Sequence, residues 1–279
     1  VIALPAKAVR MHARAAYAFV ERNFNLVRRY WGWELVWLVY SIANALAITY
    51  IGAGMQHISG AVVDTNYLVL YLLVGSLVWG YLDIVFHSIS ETIAWERWEG
   101  TIEYTFMAPV SRLTHLVGQT LFSLVYGLLF TSVVFGVVAL FFRLDIQGAN
   151  LLGALAVGAA GSLSFIGFGI VAAVLPLLFP EKGSQMTHVV EAVLLLVSGV
   201  YYPVSVLPSW MQRVAAISPA TYALEGIRLA ILAQSTWGAL FPYMLRLVVM
   251  GFVTIPLGVW VFGLAERYAK RTGRLKRSG

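Results

Sequence analysis

The side chains of this sequence that could do chemistry are few, and most of them fall in pairs. Asp83 and His87 stand four residues apart inside one apolar run, and His188 and Glu191 three apart inside another. Glu225 and Arg228, again three apart, occupy a third stretch. Residues at these spacings share a helix face, so each pair can lower its own charging cost. Ionisable groups within apolar spans are costly and mark functional sites by default. Asp83, His87 and Glu191 are therefore candidates for a polar surface along a substrate path or a subunit contact. The plainer alternative is local neutralisation near water at the ends of the spans. Glu225 and Arg228 read as a structural pair that fixes its own region.

Other chemistry is missing from the sequence. The five histidines (His12, His57, His87, His115 and His188) show no metal-ligand spacing, and with no cysteine there is no thiolate site or disulfide. No Gly-x-x-x-x-Gly-Lys-[Ser/Thr] phosphate loop occurs, nor a nucleophile elbow, nor a zinc-protease motif. The chain is thus expected to be non-catalytic, to bind no cofactor or metal, and not to hydrolyse ATP.

One charged stretch stands out between two long apolar runs. Residues 95–112 hold Glu96, Arg97, Glu99, Glu103 and Arg112 in a chain that is only 11% charged. Gly100 can break a helix and Thr101 can cap a new one. Glu103 then falls in a first turn, where the helix dipole favours a carboxylate. Pro109 ends the element. The pattern predicts a short helix lying flat at a membrane surface, with Trp98, Ile102 and Phe106 on one side and charge on the other.

The elements that must position these residues are membrane elements. The 279 residues are 60% hydrophobic, whereas a soluble domain carries about 25% charged residues. An all-α integral membrane protein is the class that fits. Residues 7–31 read as an amphipathic interfacial helix, with Val9, Ala13, Ala16, Tyr17, Val20, Phe24, Val27 and Trp31 on one face. Six spans are expected near 33–55, 67–92, 113–142, 151–179, 187–207 and 242–264, each near the roughly 20 residues a bilayer core needs, although the fifth is interrupted, its clean apolar part, Val189 to Tyr202, being short before Pro203 and Pro208. Region 203–233 is too polar and proline-broken to span, and reads as short re-entrant or interfacial helices packed on protein. This gives an interfacial stretch (1–32), a six-span body (33–264) and a basic tail (265–279), with no cleaved signal expected.

Charge sets the orientation. Six Lys or Arg before residue 30, two in 93–112, Lys182 and six after residue 264 make fifteen of the nineteen. With six spans these all fall on one side, which places both ends in the cytoplasm. The net charge of +6 sits mainly at the chain ends, which suits anionic lipid rather than nucleic acid. Ala154-x-x-x-Gly158-x-x-x-Ser162, with Gly161, Gly167 and Gly169 nearby, marks close helix packing, within one subunit or between two.

Two motifs carry a family resemblance. Glu96-x-x-Glu99-Gly100-Thr101-x-Glu103, followed by Pro109-x-Ser111-Arg112, resembles the coupling-helix region of ABC-type-2 exporter permeases. The second runs Ser198-Gly199-Val200-Tyr201-Tyr202-Pro203, Leu207-Pro208-Ser209-Trp210, Ser218-Pro219-Ala220-Thr221-Tyr222 and Glu225-Gly226-Ile227-Arg228. The resemblance implies a cytoplasmic coupling helix at about 96–109, with Glu96, Glu99, Gly100, Thr101, Glu103, Pro109 and Arg112 contacting ABC ATPase subunits that bind the ATP and Mg. It implies an exit gate near Tyr201, Tyr202 and Pro203, and a re-entrant region shaped by Pro208, Pro219, Glu225 and Arg228. It further implies a homodimer, or a heterodimer with a second permease, in the cytoplasmic (inner) cell membrane. The expected cargo is amphipathic: a lipid-linked glycan, a lipid or a hydrophobic drug. The alternative is an ATPase-independent channel or secondary transporter, which should show inverted repeats and midplane coupling charges.

Overall fold

The computed structural model describes residues 6–60, 64–108, 110–142, 144 and 146–272. Every regular element among them is helical. In chain order they are α1 (Ala6–Arg29), α2 (Trp31–Ser59), α3 (Thr65–Ser90), α4 (Thr92–Glu99), α5 (Ile102–Met107), α6 (Arg112–Phe141), α7 (Leu151–Ala172), α8 (Val174–Leu178), α9 (Gly183–Val197), α10 (Ser209–Ala215), α11 (Pro219–Ile231) and α12 (Trp237–Arg271). A single 3-10 turn, Val204–Val206, precedes α10.

Among the described residues five helical stretches are long and apolar enough to cross a bilayer: Trp31–His57, Thr65–Ser90, Leu113–Phe141, Leu151–Leu178 and Trp237–Arg271. They fall on the first four expected spans and the sixth. The segment expected over 187–207 differs. Its helix, α9, has 15 residues, so it rises about 22 Å, short of the roughly 30 Å hydrocarbon core. The cause is local. Gly199 turns left-handed at φ 73°, and the chain then runs into Pro203.

Side-chain caps start α3, α6 and α7. Asp64 accepts from Tyr67 N at 3.0 Å, Ser111 from Thr114 N at 3.1 Å, and Asn150 from Gly153 N at 2.8 Å. Each satisfies one of the amide groups a helix start leaves without a partner.

Helix α7 is the centre of the bundle. Val157, Phe165, Ile166 and Ile170 are buried among residues of α3, α11 and α12. Its small residues are spent inside this one chain. Gly161 lies against Ala223 of α11, Gly169 against Ile89 of α3, and Gly167 against Thr254 of α12. Ser162 donates to Tyr81 Oη of α3 at 2.8 Å.

Helix α1 lies along the first half of α6. His12 Nδ1 meets Thr114 Oγ1 at 2.9 Å, Asn23 Nδ2 donates to Gln119 Oε1 at 2.7 Å, and the Phe19 ring lies tilted against that of His115, with centroids 4.5 Å apart. Its protein-facing side is therefore set round from the expected apolar stripe. Ala16 is buried, but Tyr17 and Phe24 point outward. One end of the bundle gathers α1, α4, α5 and the α8–α9 connection. The other gathers the 142–150 and 232–236 connections, where Asn150 Nδ2 donates to Ser235 O at 3.0 Å and Gln234 Nε2 to Gln147 O at 2.7 Å.

Candidate functional site

The charged stretch folds as an elbow of two short helices. Gly100 is the joint: at φ 73°, ψ 16° it ends α4 in the left-handed region, where a side chain would be strained. Its amide donates to Arg97 O at 3.1 Å, and Thr101 N to Glu96 O at 2.9 Å. Thr101 holds the first position of α5 without a side-chain cap, and its hydroxyl turns back towards Glu96 O at 3.5 Å instead.

The expected sidedness of this element is not what the fold builds. Glu96 and Glu99 turn inward, and Trp98, Tyr104 and Met107 outward. Glu96 is only 1% exposed. Its Oε1 receives Arg22 Nη1 at 3.3 Å, His115 Nε2 at 3.2 Å and Thr105 Oγ1 at 3.1 Å. Arg22 also reaches Glu99 Oε2 through Nη2 at 3.1 Å. Ile102 is buried, whereas Trp98 is 70% and Met107 80% exposed, with Trp95, Tyr104 and Glu103 beside them on the outside. The physical reason is the supply of hydrogen-bond partners. Arg22 comes from α1 and His115 from α6, so the carboxylates find partners by turning in.

Two further ties hold the elbow. Arg97, itself buried, donates through Nη2 to Leu177 O at the end of α8, at 3.0 Å. Burial draws its guanidinium pKa down from the ordinary value. Glu91, at the junction of α3 and α4, accepts from Ser184 Oγ at 2.6 Å and from Thr187 Oγ1. These hydroxyls lie in the first turns of α9, where a carboxylate also meets the positive end of the helix. Arg112 opens α6, and Pro109 lies outside the described residues.

The two intraspan pairs prove to be one cluster. Glu191 Oε2 lies 3.3 Å from His188 Nδ1 and 3.8 Å from His87 Nδ1. The two imidazoles stack with centroids 5.0 Å apart. Asp83, expected to pair with His87, instead sets its carboxyl against that of Glu191, and its Oδ1 is buried with no hydrogen-bond partner. Sequence spacing separates His87 from His188 by a hundred residues, so nothing in it could bring them together.

At the other end of the bundle Arg228 is the organising residue. No ion pair joins it to Glu225 among the described residues. Its guanidinium donates to Gly199 O at 2.8 Å and to Val200 O, carbonyls that the end of α9 leaves open. It also packs 3.6 Å over the Tyr71 ring, at the range of a strong cation–π contact. Gly75 admits the arrangement, because a Cβ there would overlap Val200 O and Arg228 Nη2. Tyr201 packs against the core, Tyr202 Oη donates to Leu196 O at 2.5 Å, and Pro203 is exposed. Pro208 precedes α10 and Pro219 begins α11.

Sequence reasoning passed over Arg22, His115, Glu91, Tyr71 and Gly75 as site residues. The only available signal was that buried carboxylates need cations, and it names no partner. Among curated proteins nothing matches the chain. A model of the ABC-2 type transporter family matches residues 14–232, from α1 to the end of α11 and across both motifs. Together with the five bilayer-length helices, this shows that the chain belongs to the ABC-2 type transporter family and is a multi-pass membrane transport permease.

Proposed function

We propose that the chain is the transmembrane subunit of an ATP-driven exporter, and that separate nucleotide-binding subunits dock on the α4–α5 elbow. Membership of the family supports a non-catalytic permease component that works with an ABC ATPase. The observation that carries the docking reading is the two-sided elbow. Its inner side is fastened to α1, α6, α8 and α9 by Glu96, Arg97 and Glu91, and its outer side offers Trp98, Tyr104, Met107 and Glu103. Exposed aromatic and Met side chains beside a carboxylate suit a protein partner. A push on the elbow would pass through Arg22 to α1 and through Glu91 to α9. Glu99, Gly100, Thr101, Pro109 and Arg112 belong to the same coupling stretch.

In this reading the elbow end faces the cytoplasm, with both chain ends, in the inner cell membrane. The interfacial stretch, permease body and basic tail keep the boundaries 1–32, 33–264 and 265–279. Helix α9 serves as a short fifth span, and α10 and α11 are re-entrant on the outer side. Tyr201, Tyr202 and Pro203 border the exit gate, and Asp83, His87 and Glu191 border the path near its cytoplasmic entrance. Two copies, or this chain with a close relative, form the pathway for an amphipathic cargo: a lipid-linked glycan, a lipid or a hydrophobic drug. ATP and Mg bind the partner ATPase.

The test is reconstitution. The purified chain should hydrolyse no ATP, and should acquire substrate-stimulated hydrolysis on assembly with its ABC ATPase. Transport by the chain alone in vesicles, driven without nucleotide, would replace this reading with a channel or secondary transporter.

A further inference from the structure

We propose that His87, His188 and Glu191 form a binding site for a zinc-class divalent cation that clamps α9 to α3. The geometry is nearly that of a bound metal. Zinc bonds to imidazole nitrogen and carboxylate oxygen of about 2.0–2.2 Å place tetrahedral ligand atoms about 3.4 Å apart. Here one carboxylate oxygen, Glu191 Oε2, faces two imidazole nitrogens at 3.3 and 3.8 Å, and all three ligand atoms lie within 4.8 Å of one another. A small closing movement of two side chains completes the set. Glutamate and histidine three apart on one helix, with a third ligand from a neighbour, is a recurrent way of building metal sites inside helical bundles.

Asp83 supplies the second observation. Its carboxyl adjoins that of Glu191, and its Oδ1 is buried with no partner. A divalent ion held by the adjacent imidazoles would place positive charge beside these two neighbouring carboxyl groups. Asp83 also stands where an outer carboxylate would support the first ligands. The donor set selects the ion. Two imidazoles and a carboxylate suit zinc and its first-row neighbours, whereas magnesium and calcium prefer an all-oxygen shell. The site has water access, since His188 is exposed and His87 and Glu191 are partly so. Its consequence is mechanical: α9 begins beside the elbow, and a metal bridge would add a second tie to α3 above the Glu91 contacts.

This inference does not depend on the export reading, because its test is binding alone. The full-length chain would be purified in detergent, stripped with a chelator, and titrated with zinc against a chromogenic competitor and separately with cobalt(II). One zinc per chain is expected, with visible cobalt bands of the tetrahedral type, and excess magnesium should not displace either metal. His188→Ala and Glu191→Gln, at positions open enough to leave the fold intact, should each weaken zinc binding by at least about 10-fold. A His12→Ala, His57→Ala double variant should bind as the parent does. Substoichiometric zinc, or affinity unchanged in both His188→Ala and Glu191→Gln, would overturn the proposal. So would loss of binding in the His12, His57 control alone.

Discussion

Arg22 of α1 reaches Glu96 of α4 across 74 residues of chain, closing to 3.3 Å. The pair joins α1 to the elbow, and the same arginine holds Glu99 at 3.1 Å. Since Glu96 is buried, removing its cation should cost more than removing an ordinary surface ion pair. Arg22→Ala should lower stability by about 1–3 kcal/mol, the range for hydrogen bonds to charged groups. Thermal unfolding in detergent measures it. A melting temperature equal to the parent's would show that His115 and Thr105 hold Glu96 unaided.

Glu99 and Glu103 flank the same joint but should respond differently to charge reversal. Glu103 points outward, so Glu103→Lys should leave stability within about 0.5 kcal/mol while reducing recovery of the ATPase complex. Glu99→Lys also faces Arg22, so it should lower both stability and assembly. Pull-down yield and thermal unfolding, run on both variants, separate the two effects. Unchanged assembly with Glu103→Lys would remove the outer rim of α5 from the docking surface.

Much of this could be read in advance, and the reasons differ by element. The long apolar runs and the break at Gly100 are local properties, decided within a few residues, and hydropathy and turn chemistry expose them. The fifth span is interrupted, as the prolines announce, but its helix stops earlier than hydropathy indicates: apolar residues run on to Tyr202, while backbone geometry ends the helix at Val197. The sites were least legible. Glu96 looked like a surface charge because its cations lie in α1 and α6. Asp83 and His188 looked like members of separate pairs because only the packing of α3 on α9 brings their neighbours together.

Arg228 gives a third expectation. Arg228→Met keeps much of the volume but leaves Gly199 O and Val200 O without their donor. A buried group so stranded costs about 1–3 kcal/mol. Gly75→Ala should do comparable harm from the opposite side, by pushing the guanidinium off the same carbonyls. The two changes act on one contact, so their effects on unfolding should fall well short of additive. Full additivity would mean that Gly75 matters for some other reason.

Asp83→Asn and Glu191→Gln test whether the α3–α9 cluster borders the cargo route. Both keep size and hydrogen-bonding capacity while removing charge. In the assembled transporter, normal expression with altered substrate stimulation of ATP hydrolysis is expected. Wild-type transport by both variants would leave these carboxyls without a part in the route.

Topology has a direct assay, because the chain has no native cysteine. Ser205→Cys and Ser209→Cys introduce thiols at two exposed positions, one between α9 and α10 and one at the start of α10. Both should react with a membrane-impermeant thiol reagent applied from outside the cell. Labelling from the cytoplasmic face only would invert the proposed orientation.

The burial of α7 has a consequence for how anything crosses. Val157, Phe165, Ile166 and Ile170 plug the axis of the bundle with hydrocarbon, and glycines on the same helix draw α3, α11 and α12 in against it. A single protomer is thus a wall and not a tube. On the export reading proposed above, cargo would travel along a flank of this wall, and a lumen would form when a second surface closes over that flank.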